Sequence, residues 1–489
     1  MAILSGGEIL VKLLKQEGVP VVFGVCGGRL ASFMAAIYHE PSIDYVGTRH
    51  EANAAHMACA TYHSTGRVGV CMGEIGAAAN LVPGVATAYG LNIPMLVITS
   101  NNPSHLTYPF EEMMMDIDNE SLFKPITKWN AVVRDINRMP TLVRRAFREA
   151  LSGKPGPVHL DIPFDILFQK VEMDESILEV APEQYRVMDR PRGDIQKIEE
   201  AAELLATAQR PVLLAGGGVV ASEATAEFRQ LAKFLDAPAT ATQMGAGVVS
   251  SEDPNFIGTS GIIGGHAIPK ALTEADVVLV VGCRLSSWLW DGNGPLVRGW
   301  PQQKVIHVDI HPSVIGNKTL VTVGIQGDAK AVLTDLLAAL YERMAPVSGR
   351  PWTRSIVETY RAYREELEKL ADDQENNGRE PMHPATLARE VGQFIAENAR
   401  DAFVVLDGGA PYFWTNDFTP FLEPRTRFFE AGTGVLGFGT PYAHAIKKLH
   451  PNRPVFNITG DGSFGFTMHE LDTAKRYGLS VIHIIHDNG

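Results

Sequence analysis

The stretch Val455-Phe-Asn-Ile-Thr-Gly-Asp-Gly-Ser-Phe464, which continues to His486-Asp-Asn-Gly489, decides the fold of this chain. Its apolar run from Val455 to Thr459 predicts a buried strand that ends at the glycine turn Gly460-Asp461-Gly462. The run from Val481 to Ile485 predicts a second strand. It has no polar alternation, which is typical of a parallel sheet that is covered on both faces.

A helix is predicted between these two strands. Thr467 and Glu470 have capping-box spacing, and Gly478 is suited to end the helix. In the resulting βαβ unit, a right-handed crossover brings Asp461 and Asn488 to the same edge of the sheet. A carboxylate and an amide at one edge suit Mg²⁺ that is shared with phosphate oxygens.

The Gly-Asp-Gly turn, followed after twenty-four residues by Asp487-Asn488, resembles the cofactor motif of thiamine diphosphate enzymes, which usually ends in Asn-Asn. The resemblance implies that Asp461 and Asn488 hold Mg²⁺. It also implies diphosphate contacts from Gly460, Gly462 and Ser463. The less favoured alternative is a turn with a helix cap and an ordinary strand end.

Size and composition narrow the class of protein. A chain of 489 residues is too long for one core and predicts two to four domains. Its 45% apolar and 20% charged residues are ordinary for a soluble globular protein, and a net charge of −13 disfavours nucleic acid or an anionic membrane as partner. The four cysteines form no CxxC pair, no signal peptide precedes Ile3, and no apolar run reaches membrane-spanning length. We therefore expect a cytoplasmic protein.

The segment Tyr45-Val-Gly-Thr-Arg-His-Glu51 predicts a short strand that ends in a carboxylate, before a small-residue helix from Ala52 to Tyr62. Arg-His-Glu resembles the acetolactate synthase branch of the family. The resemblance implies that Glu51 bonds the aminopyrimidine ring, favours its imino tautomer and helps remove the thiazolium C2 proton. Taken alone, a glutamate here would more often serve the helix dipole.

Three further positions of the first domain are candidate cofactor contacts. Gly27 and Gly28 follow a predicted strand, and the resemblance implies that they let the backbone approach the aminopyrimidine. Cys26 stands where many members have proline. Asn80 lies beyond the segment in which related synthases carry a Gly-Pro-Gly turn that this chain lacks, and Glu74 is either an extra active-site carboxylate or a solvated one.

Phe110-Glu111-Glu112 lies where the acetolactate synthase-like and sulfoacetaldehyde acetyltransferase-like branches have Phe-Gln-Glu. Phe110 and Glu111 are therefore candidate catalytic residues at the substrate end. A carboxylate at this position repels an anionic 2-oxo acid unless it is protonated or paired, which weakens the expectation of pyruvate as substrate.

The central domain contains a strand from Pro211 that leads into the turn Gly216-Gly-Gly218. The turn does not fit GxGxxG. FAD or another ADP-containing ligand is the less favoured alternative to a simple packing turn.

The third domain has two more candidate cofactor segments. Gly408 and Gly409 follow a predicted strand, and only their backbone contacts carry over because Ala410 and Pro411 replace the usual glutamine and histidine. The segment Gly434-Val-Leu-Gly-Phe-Gly439 resembles the loop beneath the bent cofactor. The resemblance implies that Leu436 occupies the position of the bulky residue that holds the thiazolium and pyrimidine rings of the cofactor in a V shape. Gly434 and Leu436 are therefore cofactor-binding candidates.

The resemblance covers the whole chain and implies three doubly wound α/β domains with parallel sheets. These are a pyrimidine-binding domain at residues 1–170, a central domain at 190–345 and a diphosphate-binding domain at 380–489. Family domains continue beyond the position of Asn488, where a backbone carbonyl supplies a third metal ligand. We therefore expect the last domain to be incomplete here, and cofactor and metal to be absent from a crystal of this chain. The resemblance further implies a homodimer or homotetramer, in which Glu51 and Asp461 act on one cofactor from different chains.

The favoured function is a thiamine diphosphate- and Mg²⁺-dependent C–C lyase or carboligase that transfers an acyl anion from a 2-oxo acid to a carbonyl acceptor. Glu111 and the missing Gly-Pro-Gly turn favour a second function, acyl transfer to phosphate or cleavage of a specialised 2-oxo substrate. A third is a non-catalytic binding or regulatory paralogue, against which the presence of Glu51, Asp461 and Asn488 argues.

Overall fold

The computed structural model of this chain describes residues 1–107, 112–260, 265–290, 294–373 and 380–488. Its contacts define two units, Met1–Met188 with Phe403–Gly408 and Glu430–Gly489, and Asp189–Ala402 with Gly409–Phe429. The three larger β-sheets have six, six and four strands. They confirm the predicted α/β fold class, and the last of the three sheets is the smallest. The boundaries predicted for the three domains stay predictions.

The six-stranded sheet of the first unit is parallel throughout. Its strands, in spatial order, are Asp44–Gly47, Val21–Gly24, Gly69–Glu74, Met95–Asn101, Pro157–Pro163 and Trp129–Val132. The direction of winding reverses between Val21–Gly24 and Gly69–Glu74. The carboxyl edge beside such a reversal is the usual ligand position in sheets of this kind.

The first unit also contains the βαβ unit that the sequence predicts. The strands Phe403–Asp407, Val455–Gly460 and Ile482–His486 lie side by side and run parallel. The last two begin and end within one residue of the predicted limits. Because Gly460 pairs with His486, Asp461 and the residues after His486 leave the sheet at the same edge.

The helices of the first unit begin at sequence signals that are easy to read. Ser5 caps the first helix in a capping box with Glu8, whose backbone N–H lies 3.3 Å from the Ser5 hydroxyl. The α-helices of this unit are Gly6–Gln16, Ala31–Tyr38, Glu51–Thr65, Val82–Leu91, Ser104–Thr107, Asn119–Phe123, Met139–Leu151, Phe164–Phe168, Gly439–Leu449, Asp461–Thr467 and Leu471–Tyr477. Short 3-10 helices are Gly28–Leu30, Ile75–Leu81, Lys124–Ile126, Ile136–Arg138, Glu175–Ile177, Pro182–Gln184 and Met468–Glu470.

The second unit has its own parallel six-stranded sheet. The strands, in spatial order, are Phe256–Ser260, Ala239–Thr242, Pro211–Ala215, Val277–Val281, Lys304–Asp309 and Val323–Gln326, and Arg427–Phe429 is a further short strand. The helices are Ile195–Thr207, Gly217–Ala221, Thr225–Leu235, Ala267–Glu274, Ala329–Arg343, Pro351–Asp372, Pro384–Asn398 and Gly409–Phe418, with 3-10 turns at Gln243–Gly245 and Ser287–Leu289. The sequence predicts a helix from Pro384 to Asn398, and the observed helix has these limits, with proline at the first helical position, where no N–H is needed.

One prediction about the first unit is wrong. The polar and irregular sequence from Phe164 to about Gly193 predicts a linker between domains, but Lys170–Met173 is a strand. It pairs antiparallel with Ala2–Ser5, so that Ala2 faces Met173. Edge pairing of this kind uses backbone groups and tolerates polar side chains, which is why the polar composition hides the strand.

Two findings concern the cysteines and the helices. All four cysteines are free thiols, three of them buried and only Cys26 exposed. Across the described ranges, no helix is both long enough and apolar enough to cross a bilayer.

The packing of Gly69 against the Glu51 helix predicts a stability effect. A Cβ atom at residue 69 would lie 1.9 Å from the carbonyl oxygen of Ala58, a backbone atom that no side-chain rotation can move away. We expect Gly69→Ala to lower the free energy of unfolding by about 1–3 kcal/mol, measured by denaturant unfolding followed by circular dichroism.

Gly465→Ala is the matched control for this measurement. A Cβ atom there would meet nothing within 4 Å, and the residue lies in the helix Asp461–Thr467. Alanine should leave stability unchanged or raise it by up to about 1 kcal/mol. A Gly69→Ala protein as stable as the wild type would contradict the close packing.

Candidate functional site

Glu51 is the first residue of the helix Glu51–Thr65, and His50 is its N-cap. Its side chain is buried, and the amide nitrogen Nδ2 of Asn80 donates a hydrogen bond to its Oε2 atom over 3.0 Å. Asn80 was a candidate cofactor contact; here it orients the candidate catalytic carboxylate. Glu51 forms no hydrogen bond with Asp461 in the described part of the chain.

The glycine loop that follows the strand Val21–Gly24 packs against the carboxylate of Glu74, the last residue of the neighbouring strand Gly69–Glu74. Glu74 Oε1 accepts the N–H of Arg29 over 2.7 Å, and a Cβ atom on Gly27 would lie 2.0 Å from Glu74 Oε2. Gly28 faces open space. The Arg29 guanidinium donates to Asn102 Oδ1 over 3.1 Å. Glu74 is therefore part of a charged cluster at the carboxyl edge, and sequence reasoning missed Arg29 and Asn102.

The segment that lacks the Gly-Pro-Gly turn has its own backbone conformation. It forms the 3-10 helix Ile75–Leu81, which Ile75 enters with a φ of +32°. This region of backbone space is unfavourable for a β-branched residue, and such strain is often found at functional sites. Phe110 and Glu111, the candidate residues at the substrate end, lie outside the described residues.

Asp461 is the first residue of the helix Asp461–Thr467, directly after a paired strand. Its carboxylate is exposed and has no hydrogen-bond or ion-pair partner among the residues described. Asn488 is also exposed and follows the neighbouring strand, whereas Ser463 is buried. Gly462 faces open space, and Gly460 is the last residue of its strand. The edge thus offers one carboxylate, one amide and room for a phosphate.

The described residues contain no group of three His, Cys, Asp or Glu side chains that could hold a metal. Asp461, Asn488 and a backbone carbonyl would form a different donor set, made of one carboxylate and two neutral oxygens. The oxygen donors at this edge are the kind that Mg²⁺ takes together with phosphate oxygens.

The loop from Glu430 to Gly439 is held by two buried carboxylates. Glu430 accepts the backbone N–H groups of four successive residues, Gly432, Thr433, Gly434 and Val435, over 2.5–3.1 Å. Asp407 accepts the N–H groups of Gly437 and Gly439 over 3.2 and 2.8 Å. Sequence reasoning missed both acids, although Asp407 stands directly after an apolar run, where polar site residues are common.

Leu436 lies between these two sets of hydrogen bonds and is 47% exposed. Gly437, which follows it, has a φ of +85°, and a Cβ atom there would lie 2.7 Å from Cβ of Phe466. Burial raises the pKa of Asp407 to about 6, and the bonds from Gly439 and Gly437 act in the opposite direction. The loop therefore presents Leu436 on a fixed backbone, and Gly434 faces open space beside it.

The predicted capping box of Thr467 and Glu470 does not form. Thr467 Oγ1 donates to the Gly437 carbonyl oxygen over 2.8 Å, and Glu470 accepts the N–H of Arg49 over 2.7 Å. Both side chains have tertiary partners that replace the local cap. Gly478 ends the last helix, as the sequence predicts, and has the left-handed conformation that glycine often adopts at this position.

The two glycines after Phe403–Asp407 have different positions. Gly408 is buried with a φ of +94°, and Gly409 is the exposed first residue of the helix Gly409–Phe418. They belong to different units, and each stays a candidate for backbone contact with the diphosphate.

The glycine turn of the second unit packs against a neighbouring strand end. Gly216 N–H donates to Val281 over 2.8 Å, and Gly218 N–H donates to Gly282 over 3.0 Å. A Cβ atom on Gly216 would lie 2.1 Å from the Gly282 carbonyl oxygen. These two N–H groups are already used, which favours the packing turn over a pyrophosphate cradle.

Comparison with known proteins agrees with this arrangement along the chain. Residues 4–122 match the family model described as the thiamine pyrophosphate enzyme N-terminal TPP binding domain, residues 198–336 the central domain and residues 407–489 the C-terminal TPP binding domain. The chain is 34% identical to a probable acetolactate synthase large subunit of Methanocaldococcus jannaschii, over 99% of this chain and 80% of that protein. It is 33% identical to an acetolactate synthase of Arthrospira platensis and 31% identical to an acetolactate synthase large subunit of Haemophilus influenzae, in each case over 99% of this chain and 82% of the relative.

The matched regions contain the features described above. The N-terminal match includes Glu51 and Asn80, and the C-terminal match includes Asp407, Leu436, Asp461 and Asn488. The open space at Gly28, Gly434 and Gly462, together with the unpaired carboxylate of Asp461, suits a diphosphate cofactor with a divalent cation. The chain belongs to the thiamine pyrophosphate enzyme family.

Proposed function

We propose that this protein is a thiamine diphosphate- and Mg²⁺-dependent carboligase that cleaves a 2-oxo acid and joins the acyl group to a carbonyl acceptor. One observation carries the proposal. Two carboxylates, Glu51 and Asp461, each stand at the first position of a helix at the carboxyl edge of a parallel sheet. Glu51 suits the ring end of the cofactor, and Asp461 suits its phosphate end.

The chain's own residues have separate tasks in this proposal. Asp461 and Asn488 would hold Mg²⁺ against the diphosphate, with Gly460, Gly462 and Ser463 beside it. Glu51, oriented by Asn80 over 3.0 Å, would exchange a proton with the aminopyrimidine ring. When bound, thiamine diphosphate supplies a carbon nucleophile and an electron sink for breaking the bond next to a carbonyl group.

The loop between Glu430 and Gly439 would set the shape of the bound cofactor. Leu436 is exposed on a backbone that Glu430 and Asp407 hold on both sides. A bulky apolar side chain on such a loop can support two rings from below without moving when they bind. Gly27, Gly28, Gly408 and Gly409 would supply backbone contacts.

The charged cluster of Glu74, Arg29 and Asn102 lies next to the segment that lacks the Gly-Pro-Gly turn, and it favours a second function. This function is acyl transfer to phosphate, or cleavage of a specialised 2-oxo substrate. Product analysis separates the two functions. Pyruvate with an aldehyde acceptor should yield CO₂ and a hydroxyketone in the first case. In the second case, an aldehyde that carries a sulfonate leaving group on the carbon next to the carbonyl should react with phosphate to give an acyl phosphate and released sulfite.

Removal of the Glu51 carboxylate tests the catalytic role. Glu51→Gln keeps the size of the side chain but cannot exchange a proton, so turnover should fall by about 100-fold or more. Steady-state assays with a panel of 2-oxo acids measure the effect. Glu397→Gln, at an exposed helix position, is the matched control and should retain wild-type turnover. Full activity of Glu51→Gln would exclude the proposed role of Glu51, and absence of turnover by the wild type with every 2-oxo acid would favour a non-catalytic paralogue.

Removal of the Asp461 carboxylate tests the metal role. Asp461→Ala should weaken Mg²⁺-dependent uptake of thiamine diphosphate at least tenfold, about 1.4 kcal/mol or more of binding free energy, in a fluorescence titration. Asp189→Ala, at another exposed position, should bind as the wild type does. Equal affinities for the two variants would mean that Asp461 does not hold the metal.

A mixing experiment tests whether the two carboxylates act from different chains. Glu51→Gln homo-oligomers should have little activity, and so should Asp461→Ala homo-oligomers at a cofactor concentration that saturates the wild type but lies well below the dissociation constant of the variant. A mixed dimer would contain one site with both changes and one intact site, so random mixing should restore about a quarter of wild-type activity. No recovery in proven mixed dimers would assign both carboxylates to the same chain.

A further inference from the structure

The buried carboxylate of Glu470 has no task in the chemistry proposed above. The residue is fully buried, and its Oε1 atom accepts two hydrogen bonds, from Arg49 N–H over 2.7 Å and from Asn53 Nδ2 over 2.8 Å. Its Oε2 atom is buried and has no hydrogen-bond partner among the described residues. Burying a carboxylate is unfavourable unless its hydrogen bonds compensate, so the contacts that Glu470 does make need an explanation.

The two donors stand on either side of Glu51 in the chain. Arg49 is two residues before it, in the turn that leads from the strand to the helix, and Asn53 is two residues after it, in the first helical turn. One oxygen atom of Glu470 therefore links both ends of the short segment that carries Glu51. Because Arg49 contributes a backbone group, the bond holds the backbone itself.

Neighbouring residues of the C-terminal part hold the same turn. Gly47 N–H donates to the Tyr477 hydroxyl over 2.8 Å, and Arg476 donates to the Gly47 carbonyl oxygen over 2.5 Å. Arg49 Nε donates to Asp472 over 2.6 Å in an exposed ion pair. The turn from Gly47 to Asn53 is thus anchored at both ends by the segment from Glu470 to Tyr477.

We propose that Glu470 is a positioning residue for Glu51. Its carboxylate fixes the turn from Arg49 to Asn53. The helical segment from Asp461 to Tyr477, which contains Glu470, therefore also sets the direction of the Glu51 side chain in the same chain. Asn80 orients the end of that side chain, and Glu470 orients the backbone from which it projects. The inference rests on the proposed role of Glu51 in the proton exchange.

Glu470→Ala and Glu470→Gln test the proposal together. Alanine removes the acceptor, whereas the carbonyl oxygen of glutamine still accepts both bonds. The first measurement is amide hydrogen exchange in the cofactor-free protein: the Arg49 amide should be protected in the wild type and in Glu470→Gln, and should exchange at least tenfold faster in Glu470→Ala. The second is the exchange rate of the C2 hydrogen of thiamine diphosphate bound with Mg²⁺, followed by NMR.

Misplacing a catalytic group by about 1 Å lowers a rate by up to about 100-fold, so C2 exchange should slow about tenfold to 100-fold in Glu470→Ala and stay within about threefold of wild type in Glu470→Gln. Lys475→Ala is the control, because Lys475 is an exposed residue of the same segment with no contact to the turn among the described residues, and its C2 exchange should match the wild type.

The outcomes separate the inference from the proposed function. If Glu51→Gln slows C2 exchange and Glu470→Ala does not, the inference is wrong and the function stands. If Glu51→Gln leaves C2 exchange unchanged, both are wrong. If Glu470→Ala does not fold, the wild type and Glu470→Gln decide: an unprotected Arg49 amide in the wild type, or C2 exchange in Glu470→Gln as slow as in Glu51→Gln, overturns the positioning role.

Discussion

The parallel pairing of Val455–Gly460 with Ile482–His486 is the constraint on which the candidate site depends. In a parallel pair, both strands end at the same edge, so the residues that follow them meet there. Gly460 opposite His486 puts the start of the helix at Asp461 beside the end of the neighbouring strand. A shift of one residue in this register would turn the side chains of a strand to the opposite face and separate the oxygen donors.

Buried carboxylates, rather than exposed ones, organise the loops around this edge. Glu430 binds four backbone N–H groups and Asp407 binds two, which leaves Leu436 projecting between them. Glu470 likewise accepts hydrogen bonds from both ends of the turn that carries Glu51. Hydrogen bonds to a charged acceptor are stronger than neutral ones, so a single acid can hold an irregular loop that has no regular secondary structure. The residues proposed to touch the cofactor are thereby carried on backbones that are already ordered.

Much of the fold could be predicted from the sequence because apolar runs and glycine turns report local structure directly. The strand Val455–Gly460, the helix Pro384–Asn398 and the end of the last helix at Gly478 follow from patterns within a few residues. The strand Lys170–Met173 was missed because its partner strand, Ala2–Ser5, is distant in the sequence and because the pairing uses backbone groups. The capping box at Thr467 and Glu470 was predicted and is absent because both side chains have partners distant in the sequence. Tertiary hydrogen bonds of this kind leave no periodic signal, which is also why Arg29 was not recognised.

The central claim is that Asp461 and Asn488 of one chain provide oxygen donors for the magnesium ion of a bound diphosphate. Isothermal titration of the wild-type protein with thiamine diphosphate, in the presence and absence of Mg²⁺, tests it most directly. The account predicts saturable binding of one cofactor per chain that requires Mg²⁺ and is lost when the metal is chelated. Absence of saturable binding, or binding that is indifferent to Mg²⁺, would contradict it.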